Sequence, residues 1–185
     1  MKKLLLILSL FSIFSLTGYG AESKILIAYF TRTNNTEKIA EMIQEYTKGD
    51  IFKIEVLNPY PEAYRATTDQ AKKELESGYL PPLKSKIENL DSYDTIFIGY
   101  PIWWGTVPTP MRTFLSENDL SGKTIIPFCT HGGGGAGTST ADLTALAPKS
   151  TVVSDGYVTR NAGAGRTQGE VTQWLDSLKD RWNKN

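Results

Sequence analysis

The chain has 185 residues with 20 basic and 20 acidic side chains, 40% apolar residues and one cysteine. That length suits a single globular domain able to bury its own core without disulfides or a structural metal. Zero net charge argues against a nucleic-acid partner, and with Cys129 and His131 as the only soft ligands a zinc site is unsupported and an intramolecular disulfide is impossible.

Residues 1–20 have the layout of an export signal. Lys2 and Lys3 form a basic start, uncharged and largely apolar residues run from Leu4 to Leu16, and Gly18 and Gly20 put small residues where a signal peptidase reads. Cleavage is expected before Ala21. The apolar run is too short to span a bilayer and no cysteine follows it, so the exported chain, periplasmic or secreted, keeps no stable membrane anchor after cleavage. Losing two lysines and no acid leaves residues 21–185 as one mildly acidic domain.

Short apolar runs then alternate with helical patterns. Lys24–Phe30, Ile51–Val56, Thr95–Ile98, Thr124–Phe128 and Thr151–Val153 are rich in β-branched and aromatic residues and bounded by turn formers, which predicts five strands. Ile39, Ala40, Ile43 and Tyr46 recur at helical spacing after the first strand. Val171, Trp174, Leu175, Leu178 and Trp182 give the closing helix an apolar stripe that belongs to the core. Such alternation, with nearly continuous apolar strands, predicts an α/β fold: a parallel sheet with helices on both faces. Ligands of such folds bind outside the carboxyl ends of the strands, so function is sought in the loops that follow them.

The connection over residues 58–90 is long for an α/β fold. Prolines 59, 61, 81 and 82 bracket a polar helix with a capping box from Thr67 to Gln70, ion-pair spacings at Asp69/Lys73 and Lys72/Glu76, and Gly78 as its stop. It reads as a solvated outer helix anchored by Tyr60, Tyr64 and Tyr79, with no part in chemistry.

Three loops carry polar or aromatic groups beyond structural need. Thr31-Arg32-Thr33-Asn34-Asn35-Thr36 leads from the first strand into a helix, where free N–H groups, the helix dipole and three hydroxyls suit a terminal phosphate. A threonine N-cap is the plainer alternative, satisfied by one hydroxyl. After the third strand, Pro101-Ile102-Trp103-Trp104-Gly105 contains adjacent tryptophans that cannot share one face, so at least one is expected to face outward for a flat aromatic ligand. Otherwise one is core and the other packs under the long connection.

After the fourth strand comes Thr130-His131-Gly132-Gly133-Gly134-Gly135-Ala136-Gly137. Gly132, Gly134 and Gly137 fit a dinucleotide fingerprint, with Asp155 beyond the next strand. The loop stands fourth in the chain instead of first, and Thr138 replaces the lysine that a phosphate-binding P-loop needs. The preferred reading is a glycine loop that presents backbone N–H and C=O groups to the polar edge of a heterocycle.

Taken together, Tyr29–Thr36, Asp94–Gly105 and Phe128–Gly133 resemble the flavodoxin family, and the similarity spans residues 24 to 182. The resemblance implies a flavodoxin-like, doubly wound five-stranded sheet in the order 2-1-3-4-5 and noncovalently bound FMN. It implies a phosphate site at Thr31, Thr33, Asn35 and Thr36, with Arg32 and Asn34 in the same loop. Trp103 or Trp104 would flank the flavin ring, with Pro101, Ile102 and Gly105 beside them, and Thr130, His131, Gly132 and Gly133 would meet its polar edge. Asn34 stands where the family usually has glycine, and asparagine tolerates the same positive φ.

His131 invites a proton-delivery role, although a ring that caps its own loop is the commoner use of such a residue. Cys129 is expected to be a small buried hydrophobe. The functional classes are an electron carrier with a redox partner protein and an FMN-dependent enzyme that reduces a small acceptor such as a quinone. Near-neutral charge favours an enzyme, or a carrier with an unusual partner, because carriers are usually strongly acidic to steer toward basic partners. A dinucleotide-binding protein and a non-redox binding module remain as alternatives.

Overall fold

The computed structural model describes residues 24–160, 162–163 and 165–182. The expected export signal lies outside the described residues. The elements are β1 (Ile25–Phe30), α1 (Asn35–Thr47), β2 (Asp50–Ile54), α2 (Tyr64–Ser77), β3 (Thr95–Pro101), α3 (Thr109–Glu117), β4 (Thr124–Thr130), α4 (Ser139–Leu146), β5 (Thr151–Val152), β6 (Tyr157–Thr159), α5 (Thr167–Ser177) and α6 (Lys179–Trp182). All strand pairs are parallel, in the order β2-β1-β3-β4-β5, with β6 also on β4.

Alternation along β1 explains the two cores. Leu26, Ala28 and Phe30 point to the face covered by Met111 and Phe114 of α3 and Leu143 of α4. Ile27 and Tyr29 point to the other, against Ile39 and Ile43 of α1 and Val171 and Leu175 of α5. Both faces being covered, every residue of β1 is buried. Trp174 and Trp182 meet Phe97 edge-on at 6.0 and 5.5 Å, which makes them core as expected.

The predicted fifth strand, Thr151–Val153, forms as β5, and a further strand that was not expected, β6, follows it on β4. β5 pairs with Thr124 and Ile125, β6 with Phe128 to Thr130, and the gap between them lies opposite Ile126 and Pro127. A proline has no N–H for the ladder, and its ring fills the space instead: a Cβ on Gly156 would stand 2.8 Å from Pro127 Cγ. β3 and β4 also run further than expected, to Pro101 and Thr130, which carries them to the edge where the loops begin.

The 58–90 connection departs most from expectation. α2 starts at Tyr64, so Thr67 lies inside the helix and forms no capping box; its hydroxyl donates back to the Pro61 carbonyl at 2.6 Å. Gln70 instead donates to Glu74 at 2.9 Å. Gly78 ends the helix in a left-handed conformation at φ 67°, and Lys72 pairs with Glu76 at 3.8 Å. No Asp69–Lys73 ion pair occurs among the described residues. Of the three proposed anchors only Tyr60 serves, packing against Phe30 and Trp103 and donating to the buried Glu74. Burial, and then the Glu74 hydrogen bond, push the Tyr60 phenol above its usual range. Tyr64 is 77% exposed and Tyr79 51%.

Candidate functional site

The carboxyl ends of β1, β3, β4 and β6 open into a cavity of about 620 Å³. That lies within the range of small-ligand sites and at the edge where parallel sheets bind ligands. From the β1 loop it takes Arg32, Thr33 and Asn35; from the β3 loop, Pro101, Ile102, Trp103 and Trp104; from the β4 loop, Thr130, His131 and Gly132.

The β1 loop turns into α1 through Asn34, which sits at φ 60° and ψ 7°. No side chain caps α1, so the threonine-cap alternative does not hold: the first-turn N–H groups stay available beside Thr33 and Asn35. Asn35 donates to the Thr33 hydroxyl at 3.2 Å. Two of the threonines expected at a phosphate, Thr31 and Thr36, do not line this cavity. Thr36 is buried and its hydroxyl lies 3.0 Å from that of Thr130, which ties the β1 and β4 loops together. Thr31 lines a separate hollow on the β2 side with Lys53 and Tyr60.

The tryptophans divide as their adjacency demands. Trp103 is half-buried, edge-on to Phe30 at 5.4 Å and to Tyr60 at 4.9 Å. Trp104 is 55% exposed, and both line the cavity. Trp104 and Gly105 have φ of 51° and 77°, forming a tight turn closed by Thr106 N–H donating to the Trp103 carbonyl at 3.0 Å. Left-handed backbone is uncommon for a bulky residue. Its indole donates to the Thr68 carbonyl at 2.9 Å and its ring has Lys72 Nζ 5.2 Å from the centroid, so α2 holds it there.

α2 therefore has a part in the site, contrary to the expectation of a solvated helix apart from chemistry. Tyr64, Thr67, Thr68 and Ala71 form one wall of the cavity. Arg32 draws the segment in by donating to the Pro61 and Glu62 carbonyls. The adjacent hydroxyls of Thr67 and Thr68 on an otherwise charged helix were the one sequence signal for this wall. Arg160, after β6, is the other lining residue that sequence reasoning missed, because β6 was not expected.

In the β4 loop, the backbone N–H groups of Gly133 and Gly135 donate to His131 Nδ1 at 3.0 and 3.2 Å. The ring caps its own loop, and its other nitrogen is the one left for a ligand. Gly137 packs against Gly105, and Thr138 N–H donates to the Gly105 carbonyl at 2.8 Å. That contact occupies the start of α4 with a protein carbonyl where a dinucleotide fingerprint would place a pyrophosphate. Asp142 accepts from Thr106 and, at 2.6 Å, from Thr138, while Arg112 donates to Thr106 at 2.8 Å. The β3 and β4 loops are thus one tied unit. Gly105 and Gly133 shape it without lining the cavity, as Asn34 does for the β1 loop. Cys129 is buried in β4, and burial pushes its thiol up to about 12.

A flavodoxin profile matches residues 24–178. A candidate flavoprotein of Bacteroides eggerthii is 34% identical, with 84% of this chain and 98% of that one covered and a TM-score of 0.72. A second, from Bacteroides uniformis, is 32% identical over 83% and 98%, also at 0.72. A Lactobacillus acidophilus flavoprotein solved in complex with FMN is 23% identical over 86% and 98%, with a TM-score of 0.67. With the 2-1-3-4-5 parallel sheet and the profile match over most of its length, this chain belongs to the flavodoxin family.

Proposed function

We propose that this chain binds FMN noncovalently in the cavity at the carboxyl ends of β1, β3 and β4 and serves as a redox protein. The observation that carries it is convergence: an uncapped helix start with Thr33 and Asn35, an exposed tryptophan and a glycine loop line one cavity. These are the three chemistries FMN needs, for its phosphate, ring face and polar edge. Family membership and the FMN complex of the L. acidophilus protein support it.

Bound FMN supplies reversible one- and two-electron chemistry. The chain's own groups do the rest. Thr33, Asn35 and the first-turn N–H groups of α1 hold the phosphate, and Asn34 gives the turn that aims them. Trp104 covers a ring face, fixed by its bond to Thr68. The His131–Gly132 backbone meets the polar edge, and His131 stays rigid because Gly133 and Gly135 hold its Nδ1. The near-neutral charge of the chain favours reduction of a small acceptor such as a quinone over docking of a carrier's protein partner. Export of the chain rests on residues 1–20 and is checked by the N-terminal sequence of the secreted protein.

A visible spectrum of the purified protein, followed by titration of the flavin-free form with FMN, riboflavin and NAD, tests the reading. Tight binding of FMN, weaker binding of riboflavin and none of NAD is expected. Micromolar or weaker FMN with tight NAD would overturn it.

A further inference from the structure

The charge lining the cavity has one sign. Arg32 and Arg160 line it, and among the described residues no aspartate or glutamate does. The two arginines are placed differently. Arg32 is held by the Pro61 and Glu62 carbonyls and straps α2 to the β1 loop. Arg160 lies over the glycine loop: a Cβ built on Gly133 would stand 3.8 Å from its guanidinium carbon and 4.0 Å from Nη2. It is exposed at the mouth, and no described residue forms an ion pair with it.

A guanidinium at the rim of a low-dielectric site favours any change that places negative charge beside it. Flavin reduction is such a change. Two electrons and one proton, taken from an external two-electron donor, convert oxidised FMN into the reduced anion, whose added charge spreads over N1 and the C2 oxygen of the polar edge. The proposed function puts that edge at the His131–Gly132 backbone; Arg160 lines the same cavity and lies over the next residue, Gly133.

We propose that Arg160 is the charge partner of reduced FMN, so that this site binds the two-electron-reduced anion in preference to the oxidised cofactor. The inference rests on the FMN reading above. It gives the site a consequence that its family does not dictate: with cations and, among the described residues, no carboxylate lining the cavity, the bound flavin has a raised two-electron midpoint and is a ready electron acceptor and a mild reductant.

The test compares the FMN-loaded protein with Arg160→Gln and Arg160→Lys. Affinity for oxidised FMN and for riboflavin is read by fluorescence quenching, and the midpoint potential by spectroelectrochemistry with dithionite as reductant. Arg160→Gln is expected to cut the preference for reduced over oxidised FMN about tenfold, which lowers a two-electron midpoint by about 30 mV. Arg160→Lys should keep most of that preference, since the charge remains. An unchanged midpoint in Arg160→Gln would overturn the proposal. So would equal weakening of oxidised and reduced FMN with riboflavin spared, because that pattern makes Arg160 a phosphate ligand. Failure of the unaltered protein to bind FMN at all would be a different result, refuting the function itself.

Discussion

Replacing Gly137 by alanine perturbs the contact that ties the β3 and β4 loops, and Gly135→Ala is its internal control. Both glycines have left-handed backbone, at φ 56° and 72°, so each alanine carries a conformational cost of ~1–2 kcal/mol. Only Gly137 also has a steric one. An added Cβ would lie 2.1 Å from the Gly105 oxygen and 2.7 Å from its carbonyl carbon, whereas at Gly135 it would meet open space. Making room moves one backbone segment against another, at ~1–3 kcal/mol for overpacking, and breaks the Thr138 N–H to Gly105 bond, ~1 kcal/mol more. Gly137→Ala should therefore be about 2 to 4 kcal/mol less stable than Gly135→Ala. Urea unfolding of the flavin-free proteins measures this, with an expected difference in midpoint of about 1 M or more. FMN affinity should fall with it in Gly137→Ala and stay near the original in Gly135→Ala. Coincident urea midpoints would show that the two loops are not held by this approach.

Asn34→Gly should leave FMN binding nearly intact, whereas Asn34→Val should damage both stability and binding, because a β-branched residue fits φ 60° poorly; equal FMN affinity of the two would count against the turn. Thr36→Val strands the buried Thr130 hydroxyl and should cost ~1–3 kcal/mol in urea unfolding, while Thr33→Ala, on an exposed residue, should instead weaken FMN by ~1.5–3 kcal/mol in titration. With its thiol raised to about 12 by burial, Cys129 is protonated at pH 8, so a thiol reagent should label it only after denaturation; labelling of the native protein would place the thiol at the surface. Since Gly105 fills the start of α4, no second nucleotide site is open there, and bound FMN should bleach quickly with dithionite and slowly with NADH or NADPH in stopped flow.

Much of this protein was legible from local order along the chain. Runs such as Ile25–Phe30 alternate sides between two apolar cores, so they are strands whatever surrounds them, and the helices between them force parallel pairing. The three loops were legible for the same reason, since a parallel sheet delivers every strand's carboxyl end to one edge. Asn34 was legible too, because so few residues tolerate its φ. What depended on contacts between distant segments was not. Thr31, Thr33 and Thr36 look equivalent in sequence, yet one faces β2, one the cavity and one Thr130. The capping box at Thr67 failed because α2 begins at Tyr64, so the Thr67 N–H donates to the Ala63 carbonyl and its hydroxyl to that of Pro61. The α2 wall arises from a bond between residues 36 positions apart, Trp104 to Thr68, and Arg160 reaches the cavity from the end of β6, the unexpected strand beside β4. Periodicity reports which face a residue takes within its own element; which other element meets that face is set by packing among all of them at once.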